Sequence, residues 1–112
     1  MKAFVVAERL REWDGTVFES YGPLAASSIA RFGGRYLALS DRLTGLEGPP
    51  PPLAMAVIEF PNLEQAQAWY ASSEYQQAAA IRRSGAENRF VLIVEGAAAA
   101  QDPLAVSSGE QT

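Results

Sequence analysis

The sequence predicts an α+β domain with strand-helix-strand-strand-helix-strand order, in which four antiparallel strands form one sheet with helices on one of its faces. Short runs rich in Val, Ile and Phe, bounded by Gly, Pro or charge, give the strands. Segments with apolar residues in steps of three and four give the helices. The strand runs are also apolar on both faces, so the sheet needs cover on both sides.

Ala3 to Ala7 is the first strand, closed by Glu8 and Arg9. Trp13-Asp14-Gly15 opens a turn. Phe18, Tyr21, Ala25, Ile29 and Phe32 then form one helical stripe. Gly22-Pro23 interrupts it, and the missing proline donor predicts a kink or a restart with Pro23 in a first turn. Gly33-Gly34 stops the helix. Arg35 to Ser40 is the second strand, with Arg35, Leu37 and Leu39 on one side and Tyr36 and Ala38 on the other. Asp41-Arg42 is a turn or bulge, and Leu43 to Glu47 a ragged continuation. Gly48 and the run Pro49 to Pro52 make a stiff exposed connector.

Ala54 to Phe60 is the third strand, ended by Pro61. Asn62 with Gln65 has the spacing of a capping box, and Leu63, Ala66 and Trp69 or Tyr70 form the buried side of the helix that follows. Ser73 with Gln76 repeats the cap pattern. It starts a second helical segment carrying Tyr75, Ala79 and Ile81 or Arg82 inward, up to Gly85. Arg89 to Glu95 is the fourth strand. The domain therefore covers residues 1–96, and residues 97–112 are predicted to be a loosely held tail with little to bury.

A chain of 112 residues suffices for one packed core. It has no cysteine and no histidine, which removes disulfides, thiol chemistry, a histidine base and the usual metal ligands. No carboxylate cluster suggests a metal, and no cofactor is expected. The net charge of −4, with no basic patch interleaved with aromatics, argues against nucleic acid. No apolar run has the length of a membrane span, and Met1 to Ala7 is too short for a signal-peptide core. The chain reads as soluble and cytoplasmic.

Phe4-Val5-Val6, Met55 to Ile58 and Phe90 to Val94 do not alternate between apolar and polar residues. Helices on one side leave an apolar sheet face, which soluble monomers rarely expose. A second copy of the chain is the simplest cover, giving a homodimer paired through sheet faces.

The segments Phe32-Gly-Gly-Arg-Tyr-Leu37, Val57-Ile-Glu-Phe-Pro61 and Trp69-Tyr-Ala-Ser-Ser-Glu-Tyr-Gln76, with Arg82 and Arg89-Phe-Val-Leu-Ile-Val-Glu-Gly96, resemble the DUF1330 family over about residues 2–96. The resemblance implies a ferredoxin-like fold of the dimeric α/β-barrel type, with two sheets packed face to face. It implies no reaction. Proteins of that architecture include heme-handling enzymes, cofactor-free monooxygenases and lactone isomerases. Without histidine, heme is poorly served here. The chain departs from the family pattern at Ser72-Ser73-Glu74-Tyr75, where Ser-Pro-Glu-Tyr is common, and in its run of prolines.

Glu59 shares a strand face with Met55 and Val57, and a carboxylate among apolar neighbours is a candidate acid/base. A structural ion pair with Arg35 or Arg89 is the alternative. Arg35 or Arg82 could hold an anion by a forked hydrogen bond, and only one of Arg82 and Arg83 can face inward. Tyr21, Trp69, Tyr70 and Tyr75 either line a cleft or simply fill the core. Together these give a predicted small-molecule site of Tyr21, Arg35, Glu59, Trp69 and Tyr75 in a homodimeric binding protein. The alternative is a cofactor-free isomerase or monooxygenase with Glu59 as its acid/base.

Overall fold

The computed structural model describes residues 1–94. Its elements are β1 (Ala3–Glu12), α1 (Val17–Arg31), β2 (Arg35–Ser40), β3 (Ala54–Phe60), α2 (Leu63–Ala71), α3 (Ser73–Arg83) and β4 (Ala86–Val94). The strands form one sheet in the order β2-β3-β1-β4. Every pairing is antiparallel. This is the predicted ferredoxin-like α+β arrangement. Residues 95–112, including the predicted tail, lie outside the described residues. No helix among the described residues is long and apolar enough to cross a membrane.

Strand alternation sorts the central strands into two faces. Ala3, Val5, Ala7 and Arg9 of β1 lie beside Phe60, Ile58, Ala56 and Ala54 of β3, and this side faces the helices. Phe4, Val6 and Glu8 pair with Glu59, Val57 and Met55 on the other, open face. The core sits at one end of the helix-facing side. There Trp69 packs on Phe60 and Tyr75, with ring centroids 5.2 and 4.2 Å apart. The Trp69 indole N–H donates to Ser28 Oγ at 3.0 Å, and Ser28 passes the bond on to the Ala25 carbonyl at 2.8 Å. The buried indole is thereby satisfied.

Four local details depart from the sequence expectation. β1 runs five residues beyond Ala7, because Glu8 pairs across to Arg89 at 3.6 Å and the Arg9 guanidinium lies 3.5 Å from the Phe18 ring centre. Of the kink or restart expected at Pro23, the restart does not occur, and α1 is one helix through it. Pro23 and Glu19, whose carbonyl loses its partner, are both exposed, so water can supply that bond. A bulge between Tyr36 and Ala38 adds Leu37 and reverses the alternation, so Leu39 falls on the Tyr36 side rather than with Arg35. The cap of α3 is Ser72, not Ser73: its hydroxyl accepts from the Tyr75 amide at 3.1 Å. The Asn62 cap of α2 is as expected, accepting from the Gln65 amide at 2.8 Å.

The end of α1 shows why two glycines stand together. Gly33 has φ +79°, and the Gly33 and Gly34 amides return to the Ala30 and Ile29 carbonyls at 3.0 and 2.9 Å, a Schellman closure. Gly34 lies against the core, where an added Cβ would meet Phe60 Cε1 at 2.6 Å and Ile29 Cγ2 at 2.9 Å. Gly34→Ala should therefore destabilise the fold by about 2 kcal/mol, in the range for overpacking a core, as measured by urea denaturation. A variant as stable as the wild type would show that the α1–β2 corner is not closely packed.

Candidate functional site

At the other end of the helix-facing side the strands carry small residues, Ala7, Ala54 and Ala56, beneath the first turns of α1. Small residues leave space there. A cleft of about 450 Å³ opens between α1, α3 and the sheet, lined by these alanines, Phe18, Tyr21, Tyr36, Leu39, Ile58 and Phe90, with Arg9, Arg82 and Asn88 and the acids Glu8 and Asp41 among its polar residues. Its size and mixed lining are those of a small-molecule site.

The cleft backs onto an aromatic group. The Tyr21 and Tyr75 hydroxyls hydrogen-bond at 2.8 Å, with their rings edge to face at 6.3 Å. Burial pushes the Tyr21 hydroxyl well above the ordinary phenol range, and Tyr75 adds to the shift. Burial likewise raises Tyr75 and Tyr36, while the Tyr21 bond and the Arg82 charge oppose the rise in Tyr75. All three are therefore neutral at physiological pH, able to donate or accept hydrogen bonds but not to act as bases.

Arg82 is the unusual residue. Only 4% of it is exposed, and no carboxylate lies within ion-pair distance among the described residues. Its guanidinium sits 4.6 Å from the Phe90 ring centre and 5.6 Å from that of Tyr21. Two ring faces offset part of the several kcal/mol that burying an ion costs, but they give the guanidinium N–H groups no acceptor. Arg82 Nε, Arg9 Nε and Asn88 Oδ1 are buried without a hydrogen-bond partner, and all three residues line this cleft. Arg9 and Asn88 are register partners across β1 and β4. Arg9 spends its terminal nitrogen on Glu12, at 2.9 Å.

Of the five residues predicted as a site, the cleft takes Tyr21 directly and Tyr75 through its hydrogen bond. Trp69 is fully buried in the core and borders a separate depression of about 310 Å³ between α2 and the sheet. Glu59 and Arg35 do not reach the cleft. The alternation that sets Glu59 beside Met55 and Val57 places it on the open face, and Arg35 is its register partner there. Arg35 Nε bonds one Glu59 oxygen at 2.8 Å and Lys2 Nζ the other at 3.1 Å. These bonds, Arg35 first, hold the Glu59 carboxyl below its ordinary value.

Arg9, Tyr36, Asn88 and Phe90 were not singled out from sequence. Arg9 lies beyond the expected end of β1, and Asn88 before the expected start of β4. Arg82 was considered as an anion ligand, and it is the inward member of the Arg82–Arg83 pair. Arg83 is exposed and turned to Tyr70 and Gln76.

Fold and cleft together define a small ferredoxin-like domain with a ligand-sized recess beneath its helices. The chain belongs to the DUF1330 family, a domain of unknown function, matching it over residues 2–97. No functionally curated protein matches it. Among solved structures, a protein of unknown function from Rhodopseudomonas palustris is similar at 15% identity and TM-score 0.68, covering 86% of this chain and 83% of that one. A dimeric ferredoxin-like protein of unknown function from Jannaschia sp. CCS1 is similar at 8% identity and TM-score 0.68, covering 85% and 100%. SnoaB, a cofactor-independent oxygenase from Streptomyces nogalater, is similar at 14% identity and TM-score 0.62, covering 86% and 94%. At these identities the likeness is one of fold.

The lowered Glu59 value has a sign that can be tested. A carboxyl depressed in the folded state adds stability above its unfolded value, and that stability is lost as pH falls through the folded one. Urea denaturation of wild type and Glu59→Gln should show the widest stability gap above roughly pH 5, closing toward acid. A gap independent of pH would mean that the ion pairs do not persist in solution.

Proposed function

We propose that this chain is a homodimeric small-molecule-binding protein, with a ligand site in the cleft of each subunit and the subunits paired through their open sheet faces. The observation that carries the ligand site is the collection of unpartnered buried polar atoms at Arg9, Arg82 and Asn88 around one recess. Buried polar groups in folded proteins find partners, and a bound molecule supplies them here.

The pairing is supported by the composition of the open face. Phe4, Val6, Met55 and Val57 continue across it into Val91 and Ile93, which are 40% and 46% exposed. Its charges are confined to the ends, at Lys2–Glu59–Arg35 and Glu8–Arg89. An apolar centre with a polar rim is the build of an interface. The dimeric description of the Jannaschia protein supports it further.

The second reading is a cofactor-free enzyme, favoured by the fold likeness to SnoaB. In that reading Glu59 is the acid/base only if substrate binds on the open face, beside Arg35 and Lys2. The two readings separate on the same variants. A thermal-shift screen of metabolites should find a compound that raises the melting temperature on the order of 10 °C at a hundred times its Kd, where binding contributes ~2.7 kcal/mol. Ala56→Leu, which fills the cleft, should abolish that shift, and Glu59→Gln should leave it intact. The reverse pattern would move the site to the open face. For the dimer, native mass should be that of two chains and fall to one in Val57→Lys; a wild-type monomer in dilute buffer would refute the pairing.

A further inference from the structure

Resting on the cleft as the ligand site, we propose that it selects a small organic monoanion, a carboxylate on an apolar body, with Arg82 as the counter-charge and the Arg9–Asn88 pair as the polar wall. A guanidinium does not deprotonate in proteins, so Arg82 carries a fixed positive charge. It is buried, it lines the cleft, and its Nε has no partner. An anion in the recess would complete it by the forked bonding that guanidinium and carboxylate share.

The charge count sets the valence. Arg9 is already neutralised by Glu12, and Arg89 by Glu8. The three tyrosines around the recess are neutral, as their raised values require. Asp41, at the exposed rim, is the other charged lining residue without an ion pair among the described residues. Arg82 is thus the one buried charge left unpaired, and the recess carries at most one net positive charge, which suits a carboxylate better than a phosphate dianion. The rest of the wall decides the body of the ligand. Phe18, Phe90, Ile58 and the alanines offer apolar surface, while the Asn88 amide and Arg9 Nε call for a polar substituent facing them.

Matched acid and amide probes test the charge without any variant. 4-Hydroxyphenylacetate and 3-phenylpropionate, their primary amides and inorganic phosphate would be titrated calorimetrically against the wild-type protein at fixed ionic strength. The acids should bind at least ten-fold tighter than the amides, and phosphate more weakly than either acid. Arg82→Met should remove the acid preference, and its ligand-free melting temperature should equal or exceed that of wild type, because it exchanges an uncompensated buried charge for an apolar chain. Arg82→Lys should retain part of the preference. Amides binding as tightly as acids would overturn the charge assignment while leaving the cleft as a ligand site. Tighter phosphate binding would overturn the valence. A melting temperature lowered by more than about 10 °C in Arg82→Met would make Arg82 a structural residue. Absence of saturable binding by every probe would remove this inference, and a metabolite screen negative as well would remove the ligand reading with it.

Discussion

The fold turns on where the central strands carry alanine. β1 and β3 present Ala7, Ala54 and Ala56 to the helices at one end, and Val5, Ile58 and Phe60 at the other. At the large end the sheet meets Trp69 and Tyr75 in close packing. At the small end α1 is held above the sheet by Phe18 and Tyr21, and the space that remains is the cleft. Interiors otherwise pack to crystal density. A recess persists here because the positions of β1 and β3 beneath α1 are alanines, too short to fill it. The next pair outward, Arg9 and Asn88, is polar and borders the recess without closing it.

Charge is treated oppositely on the two faces of the same strands. On the open face each acid has a base: Glu59 holds Arg35 and Lys2, and Glu8 holds Arg89. These pairs leave the centre of that face apolar and electrically neutral, which favours burial against another surface. On the helix-facing side Arg82 has only ring faces and neutral hydroxyls for company. A buried ion left in this way costs stability and persists where function requires it. On the proposed function, the neutral face takes the partner and the recess around Arg82 the ligand.

The architecture was legible because periodicity alone separates strands from helices, and because strands apolar on both faces demand two-sided cover. Boundaries were harder. Glu8 reads as the end of β1 until its cross-strand partner Arg89 is known, and Leu37 gives no local sign that it is the extra residue of a bulge. The site was partly legible. Tyr75, Ala79 and Arg82 fall at helical spacing, which places Arg82 inward beside Tyr75. Strand alternation correctly grouped Glu59 with Met55 and Val57. Which of the two sheet faces holds a recess depends on where the helices cross, and no short-range pattern carries that. Glu59 therefore falls on the open face with Met55 and Val57, apart from Tyr21 and Tyr75.

The same geometry bears on whether the cleft could catalyse. Proton transfer near neutral pH needs a group whose value lies near the working pH. The buried hydroxyls of Tyr21, Tyr36 and Tyr75 are all displaced upward, away from that range. Arg82 is fixed in the other sense. What such a recess offers is preorganised positive charge in an apolar setting, held without reorganisation when negative charge arrives. On the proposed function, a ligand already anionic would be bound by it. A ligand that becomes anionic during reaction is stabilised by it, provided its proton is acidic enough to leave without a protein base. Binding and charge-stabilising chemistry therefore draw on one feature, and the acidity of the ligand decides between them.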